Sequence, residues 1–231
     1  MIPLRDDAPR FTRPYVTYFL IAFNLVVFLF AESLTPRLYR AFNYQFGFVP
    51  VRVGAWLEGA VPAEAALIPA LTSMFLHSGW LHLIFNMWAL YIFGDNVEDR
   101  LGRFRFILFY LASGLGGALL HFVFNAGSTI PTVGASGAIA GVMGAYFLLF
   151  PSARVLTLIP LFLIWPIIWL PAWLFLAYWF VGQFLSGAAS SITAAGGGGV
   201  AVWAHVGGFI SGIGLIKLLP ARRSYGMYEA A

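Results

Sequence analysis

Apolar residues along this chain come in long blocks, and polar residues collect in the gaps between them. The first block, 15–31, has the length of a membrane-crossing helix, for which roughly 17–25 residues suffice. Further blocks follow at about 79–97, 104–125, 136–150, within 155–185, and 200–219, so the pattern predicts six transmembrane helices. The fourth is short and stops at Pro151. The fifth stretch is long for one helix and carries Pro160, Pro166 and Pro171; it reads as an interfacial or re-entrant piece followed by a helix, or as two short spans, and the distribution of basic residues favours one crossing. Segment 32–78 mixes Arg37, Arg40, Arg52, Glu32, Glu58 and Glu64 with Phe42, Phe46, Phe48 and Trp56, and is expected in the membrane interface.

Composition agrees with a chain in lipid. Hydrophobic residues make up 61% and charged residues 10%, with a mean hydropathy of +0.85; a soluble domain carries about 25% charged residues. The expectation is an all-α integral membrane protein, a single polytopic domain over 1–231 with its core at 15–219 and no separate soluble domain. The absence of cysteine excludes disulfides, zinc–thiolate sites and a cysteine nucleophile. The net charge of +4 forms no basic stripe, so nucleic acid is not an expected partner. The first block lacks a small-x-small cleavage site and reads as a retained helix. Arg5, Arg10 and Arg13 precede it, Arg100, Arg103 and Arg105 separate blocks two and three, Arg154 separates four and five, and Lys217, Arg222 and Arg223 follow the last. On the other side lie only the three arginines of the first loop and the uncharged loops 126–135 and 186–199, which places both termini in the cytoplasm.

With that topology, the polar residues inside blocks two, four and six converge. His82 and Asn86 are four apart and share a helix face. Ser136 opens block four within Gly134-Ala135-Ser136-Gly137, and His205 lies one to two turns into block six. All four fall at similar depth below the outer surface. Polar side chains inside a membrane mark function or a partner. Ser136 as nucleophile, His205 as base, and His82 with Asn86 as donors to a developing oxyanion form one consistent assignment. The structural alternatives are a serine bonded to the preceding turn, a packed histidine, and a helix cross-link. Gly137, Gly141 and Gly144 in block four, and Ala201, Gly208 and Gly212 in block six, let those helices touch backbone to backbone. His77 starts the spacing and is expected at the interface in a supporting role; His121 reads as an interfacial or packing residue, and Glu98 with Asp99 as a solvated or arginine-paired cluster. A metal site is disfavoured, because no His-Glu-x-x-His helix or intramembrane acid accompanies the four histidines.

The motifs His77-x4-His82-x3-Asn86, Gly134-Ala135-Ser136-Gly137 and Ala204-His205-x2-Gly208-x3-Gly212, with Phe93-Gly94-Asp95-Asn96-Val97-Glu98, resemble the rhomboid family of intramembrane serine proteases in its bacterial form. The resemblance covers about 15–219. It implies a Ser136–His205 dyad without an acid and an oxyanion site made of the Ser136 backbone N–H, His82 and Asn86. It also implies single-span membrane proteins as substrates, no cofactor, and a multi-pass location in a bacterial inner membrane. Two departures stand out: Trp56 is followed by Leu57 where some members have a Trp-Arg pair, and Ala140 stands where some carry an aromatic ring stacked on the base. A catalytically silent membrane chaperone or retrotranslocation factor, and a small transporter, are the alternatives; the first would not need Ser136 with His205, and the second usually shows repeats or intramembrane acids.

Overall fold

The computed structural model describes residues 1–192 and 201–219. In chain order it contains strand β1 (Ile2–Asp6) and helices α1 (Tyr15–Glu32), α2 (Pro36–Phe46), α3 (Pro50–Leu57) and α4 (Ala63–Thr72), then a 3₁₀ turn at Ser73–Phe75. Helices α5 (Trp80–Leu101), α6 (Arg103–Asn125) and α7 (Ser136–Leu149) follow, then strands β2 (Arg154–Leu158) and β3 (Ile167–Pro171), α8 (Ala172–Ile192) and α9 (Val202–Leu218). Helix α1, helix α6 and the stretch Ala172–Ala189 of α8 are each long and apolar enough to cross a membrane. The pair Ala63–Phe75 and Trp80–Leu101 passes the same test together but is bent by 79°, and α7 and α9 are shorter apolar helices.

Helix α7 forms the centre. Every residue from Gly137 to Tyr146 is buried, as a helix apolar on all sides must be. Its glycines set the distance to its neighbours. A Cβ at Gly208 would lie 1.9 Å from the Gly137 carbonyl oxygen, and one at Gly212 would lie 2.1 Å from that of Gly141. At the same crossing, a Cβ at Gly117 of α6 would meet the Ala204 carbonyl oxygen of α9 at 2.6 Å. Backbone contact of this kind is how small residues bring membrane helices together.

The fold departs from the sequence expectation in four places. The chain is not wholly helical: β1, β2 and β3 form an antiparallel sheet in that order, Ile2 opposite Leu158 and Arg154 opposite Pro171. The prolines of 155–185 explain why no helix starts there before Ala172, since Pro171 ends β3 and Ile159 N–H bonds the Pro166 carbonyl across the hairpin. Second, segment 32–78 is three short helices and a turn rather than a loop; α2 has no buried residue, in keeping with an interfacial position. Third, Glu98 and Asp99 are buried, not solvated. Glu98 accepts the N–H groups of Val16 and Thr17 and so caps α1 from a distance, while Asp99 accepts those of Phe11 and Thr12. Fourth, 186–192 continues α8 and is not loop. The glycine run Gly196 to Gly199, Pro220, Arg222 and Arg223 lie outside the described residues.

The N-terminal segment is fastened at one end of the bundle. Arg10 pairs with Asp95 at 2.8 Å, Asp7 with Arg154 at 2.8 Å, and Asn96 donates to the carbonyls of Ala8 and Pro9. The Trp88 indole donates to the Pro3 carbonyl at 2.6 Å, so β1 runs along α5. The Tyr146 hydroxyl donates to Asp6. Burial pushes the Asp6 carboxyl up, only partly opposed by that hydrogen bond. Burial also acts to raise Asp7, but the backbone N–H and guanidinium of Arg154 outweigh it and hold that carboxyl low.

Candidate active site

Ser136 is the first residue of α7. A helix N-terminus leaves its leading N–H groups without intrahelical partners, and they point out of the helix end. Gly134 precedes it with φ of +133°, a conformation that L side chains rarely adopt. Its N–H is held by the Ser73 carbonyl at 2.9 Å. The pair Phe48 and Thr132 exchanges backbone hydrogen bonds of 2.9 and 2.7 Å, which ties the approach to α7 against the segment before α3.

The serine hydroxyl meets His205. Ser136 Oγ lies 2.7 Å from His205 Nε2, across the contact where Gly137 and Gly208 let α7 and α9 touch. His205 is buried, 7% exposed. Its other ring nitrogen, Nδ1, lies 2.6 Å from Gln183 Oε1 of α8. The ring of Trp179, one turn earlier on α8, stands 5.8 Å from the imidazole at 34° and 6.2 Å from Phe209. Trp179 thus brings an aromatic ring beside His205 from α8, on a helix other than that of Ala140. Neither Trp179 nor Gln183 is among the residues singled out from sequence. A signal existed: Gln183 is the one amide or charged side chain between Ala172 and Ile192, in an otherwise apolar span.

His82 also reaches this place. A Cβ on Gly134 would lie 2.7 Å from His82 Nε2 and 3.5 Å from Ser136 Oγ, so glycine at 134 is what lets the imidazole stand beside the serine. His82 Nδ1 is 3.0 Å from the Ser78 hydroxyl, a partner the sequence reading did not pick out. Asn86 is buried one turn below, and its amide donates to the His82 carbonyl at 2.8 Å. That bond points the Asn86 amide along its own helix and uses one of its two N–H groups.

His77, expected at the interface, is buried at 2% exposure, and its ring stands edge-on to His82 with centroids 5.1 Å apart. Burial follows from the bend between the turn at Ser73–Phe75 and α5, which folds this segment inward. His121 is a packing residue: its Nε2 lies 3.0 Å from the Thr132 hydroxyl and its Nδ1 lies 3.3 Å from the Asn125 amide. Behind Ser136 a small space of about 30 Å³, lined by Ser73, His121, Thr132, Gly134 and Ala204, is large enough for water. Among the described residues no group of three or more His, Cys, Asp or Glu is arranged to hold a metal ion.

Comparison with known proteins gives a consistent result. Residues 64–222 match the model of the Rhomboid domain. The chain is similar to "Rhomboid protease GluP" of Bacillus subtilis, 36% identical over 137 residues, which are 58% of this chain and 24% of that protein. It is 47% identical over 75 residues to "RHOMBOID-like protein 6, mitochondrial" of Arabidopsis thaliana, 32% of this chain and 24% of that one. To "RHOMBOID-like protein 9, chloroplastic" of the same plant it is 33% identical over 143 residues, 61% of this chain and 31% of that one. The chain spans less than a third of the length of each of these relatives.

Proposed function

As this chain belongs to the rhomboid family, we propose that it is an intramembrane serine protease that hydrolyses peptide bonds in or near the transmembrane segments of single-span membrane proteins. The observation that carries the proposal is the 2.7 Å contact between Ser136 Oγ and His205 Nε2 at the N-terminus of a buried helix.

The chemistry assigned to the site is acyl transfer. His205 Nε2 takes the hydroxyl proton as Ser136 Oγ bonds to the scissile carbonyl carbon. The oxyanion that forms is stabilised by the Ser136 backbone N–H, by His82 Nε2–H and by the Asn86 amide. The Ser78 hydroxyl is compatible with this role for His82: it can donate to Nδ1, which leaves the hydrogen on Nε2. The carbon–nitrogen bond then breaks, and His205 gives its proton to the leaving amine. In the second half, water loses a proton to His205 and attacks the acyl carbon, and Ser136 leaves with that proton restored. Gly134 and Gly137 shape the turn and the helix contact, Gly208 keeps α9 close, and buried His77 supports His82.

In this reading 1–231 is one polytopic domain with six crossings, both termini cytoplasmic, in a bacterial plasma membrane. Two features support the orientation. The N-terminal segment and the base of the β2–β3 hairpin meet at one end of the bundle, and the 126–135 segment meets the region before α3 at the other. At 1.5 Å per residue α7 is about 21 Å long, short of a hydrocarbon core of about 30 Å, so Ser136 can sit below the surface while remaining reachable by water. Substrate would enter sideways between α5 and α8. Helix α8 suits a moving wall, since Trp173, Leu174, Tyr178, Val181, Phe184 and Leu185 all leave large side chains exposed along it.

The test is purified protein in liposomes with a panel of single-span substrates. Cleavage is expected, together with labelling by a serine-directed fluorophosphonate, and Ser136→Ala should lose both. Wild-type-like turnover by Ser136→Ala would sink the protease reading; binding without cleavage by the unmodified protein would favour the silent membrane chaperone.

A further inference from the structure

Gln183 lies outside the Ser136–His205 pair, yet it makes the shortest polar contact to the base, 2.6 Å from Oε1 to Nδ1. A carbonyl oxygen can only accept, so this contact requires the hydrogen of the neutral imidazole to be on Nδ1. Nε2 is then an unprotonated acceptor, and Nε2 is the atom facing Ser136 Oγ at 2.7 Å. The amide thus selects the one neutral tautomer that can act as a base toward Ser136. When His205 takes the proton, its Nδ1–H bond to the carbonyl dipole becomes charge-assisted and strengthens. An amide does this without placing a carboxylate in the bilayer, where an ionised acid is costly. Trp179, four residues before Gln183 on the same face of α8, packs beside the same ring.

We propose that Gln183 is the positioning residue for His205, and that the seating of α8 against α9 thereby determines whether the base is competent. The inference rests on the dyad reading above. It has a consequence for a moving α8: a displacement that opens the α5–α8 gap also withdraws the acceptor from Nδ1, and the base regains its orientation only when α8 returns over the bound substrate.

The variants that test it are Gln183→Leu, which fills the space but cannot accept, and Gln183→Glu, whose carboxyl oxygen can. Two readouts are independent: the rate of Ser136 labelling by a fluorophosphonate, and the tautomer of His205 from ¹⁵N shifts in histidine-labelled protein, assigned against His205→Ala. Wild type should show protonated Nδ1 and free Nε2. Gln183→Leu should shift the ring toward the other tautomer and slow labelling and kcat about 10- to 100-fold with KM little changed, the range expected for one buried hydrogen bond. Gln183→Glu should recover most of that loss. If Gln183→Leu labels at the wild-type rate with an unchanged tautomer, or Gln183→Glu is no better than Gln183→Leu, the inference is wrong while the dyad stands. If the unmodified protein has Nδ1 protonated and still takes no label, the dyad reading falls and this inference goes with it.

Discussion

A serine at the first position of a buried helix has two assets that a serine further along lacks: a backbone N–H aimed out of the helix end, and a hydroxyl free of the preceding turn. Ser136 has both, and His205 completes the contact at 2.7 Å. Groups that act as a unit lose activity non-additively, so Ser136→Ala and His205→Ala should each abolish cleavage and the double variant should be no worse. Additive losses in that cycle, measured as single-turnover rates, argue against a dyad. The oxyanion donors should behave otherwise. Asn86→Ala and His82→Ala should each slow turnover by roughly 10²–10³ while leaving substrate affinity nearly intact, with Ser136 labelling slowed and not lost. Full turnover in both variants removes the oxyanion assignment and leaves the dyad standing. That these four side chains gather near one another was legible because each is polar, lies in an apolar block and has a fixed spacing or a matching depth to another. Ser78 and Gln183 match no motif, and only the lone polarity of Gln183 in its apolar span marked it. The geometry of Trp179 is also silent in sequence: which ring meets His205 depends on how α8 lies, and its rotation is set by packing alone.

At the scale of elements, the apolar blocks place α1, α5, α6, α7 and α9 within a few residues, since the length of a lipid-crossing helix is fixed by the bilayer. The sheet was hidden for the opposite reason. β1 and β2 pair across about 150 residues of chain, and a five-residue strand beside a proline carries almost no periodicity of its own. Buried Glu98 and Asp99 escaped for a related cause: a charge cluster reads as solvated until the start of α1 and the segment before it, which donate to these carboxylates, are in place. Two predictions belong here. The α7–α9 contact leaves no room for a methyl group, so Gly208→Ala should separate the helices that carry Ser136 and His205. Overpacking of this kind costs about 1–3 kcal/mol, and here the obstacle is backbone. A lower thermal midpoint together with a large loss of labelling is expected; wild-type labelling by Gly208→Ala contradicts the backbone contact. The second concerns pH. Folding raises Asp6, so the stability it contributes is fully present when the carboxyl is protonated, below its ordinary value of about 3.9, and is lost as pH rises through the raised value. Asp6→Asn keeps an acceptor for the Tyr146 hydroxyl without a charge. Its thermal midpoint should exceed that of the wild type at pH 7 and match it near pH 4. Asp7, held low by Arg154, has the opposite sign and loses its contribution on acidification, but at 31% side-chain exposure solvent weakens it. A gain at pH 4 instead of pH 7 in Asp6→Asn reverses the assignment.

At the scale of the whole molecule, the proposed function depends on which end of the bundle faces the cytoplasm, because depth and side together would decide what part of a membrane substrate Ser136 could reach. The arginines before α1 and at the base of β2 lie at the same end as the buried acids of α5, and the uncharged segment 126–135 lies at the other. The bias on basic loops retains the end richer in arginine in the cytoplasm, and the arginines at the first end outnumber Arg37, Arg40 and Arg52 of the first loop at the other. The chain has no cysteine, so single cysteines report position without interference. Thr129, in the uncharged segment, and Ser152, just before β2, are both exposed and make suitable sites. In right-side-out vesicles a membrane-impermeant maleimide should label Thr129→Cys at once and Ser152→Cys only after permeabilisation. The reverse pattern inverts the topology and would put the Ser136 end of α7 toward the cytoplasm. Labelling of both sites before permeabilisation would mean an even number of crossings between residues 129 and 152, and α7 would not span. Under the proposed protease reading, an α7 that crosses once with its N-terminus outward would confine Ser136 to peptide bonds near the outer membrane boundary, where a transmembrane helix begins to lose its lipid support and an extended backbone could reach the hydroxyl.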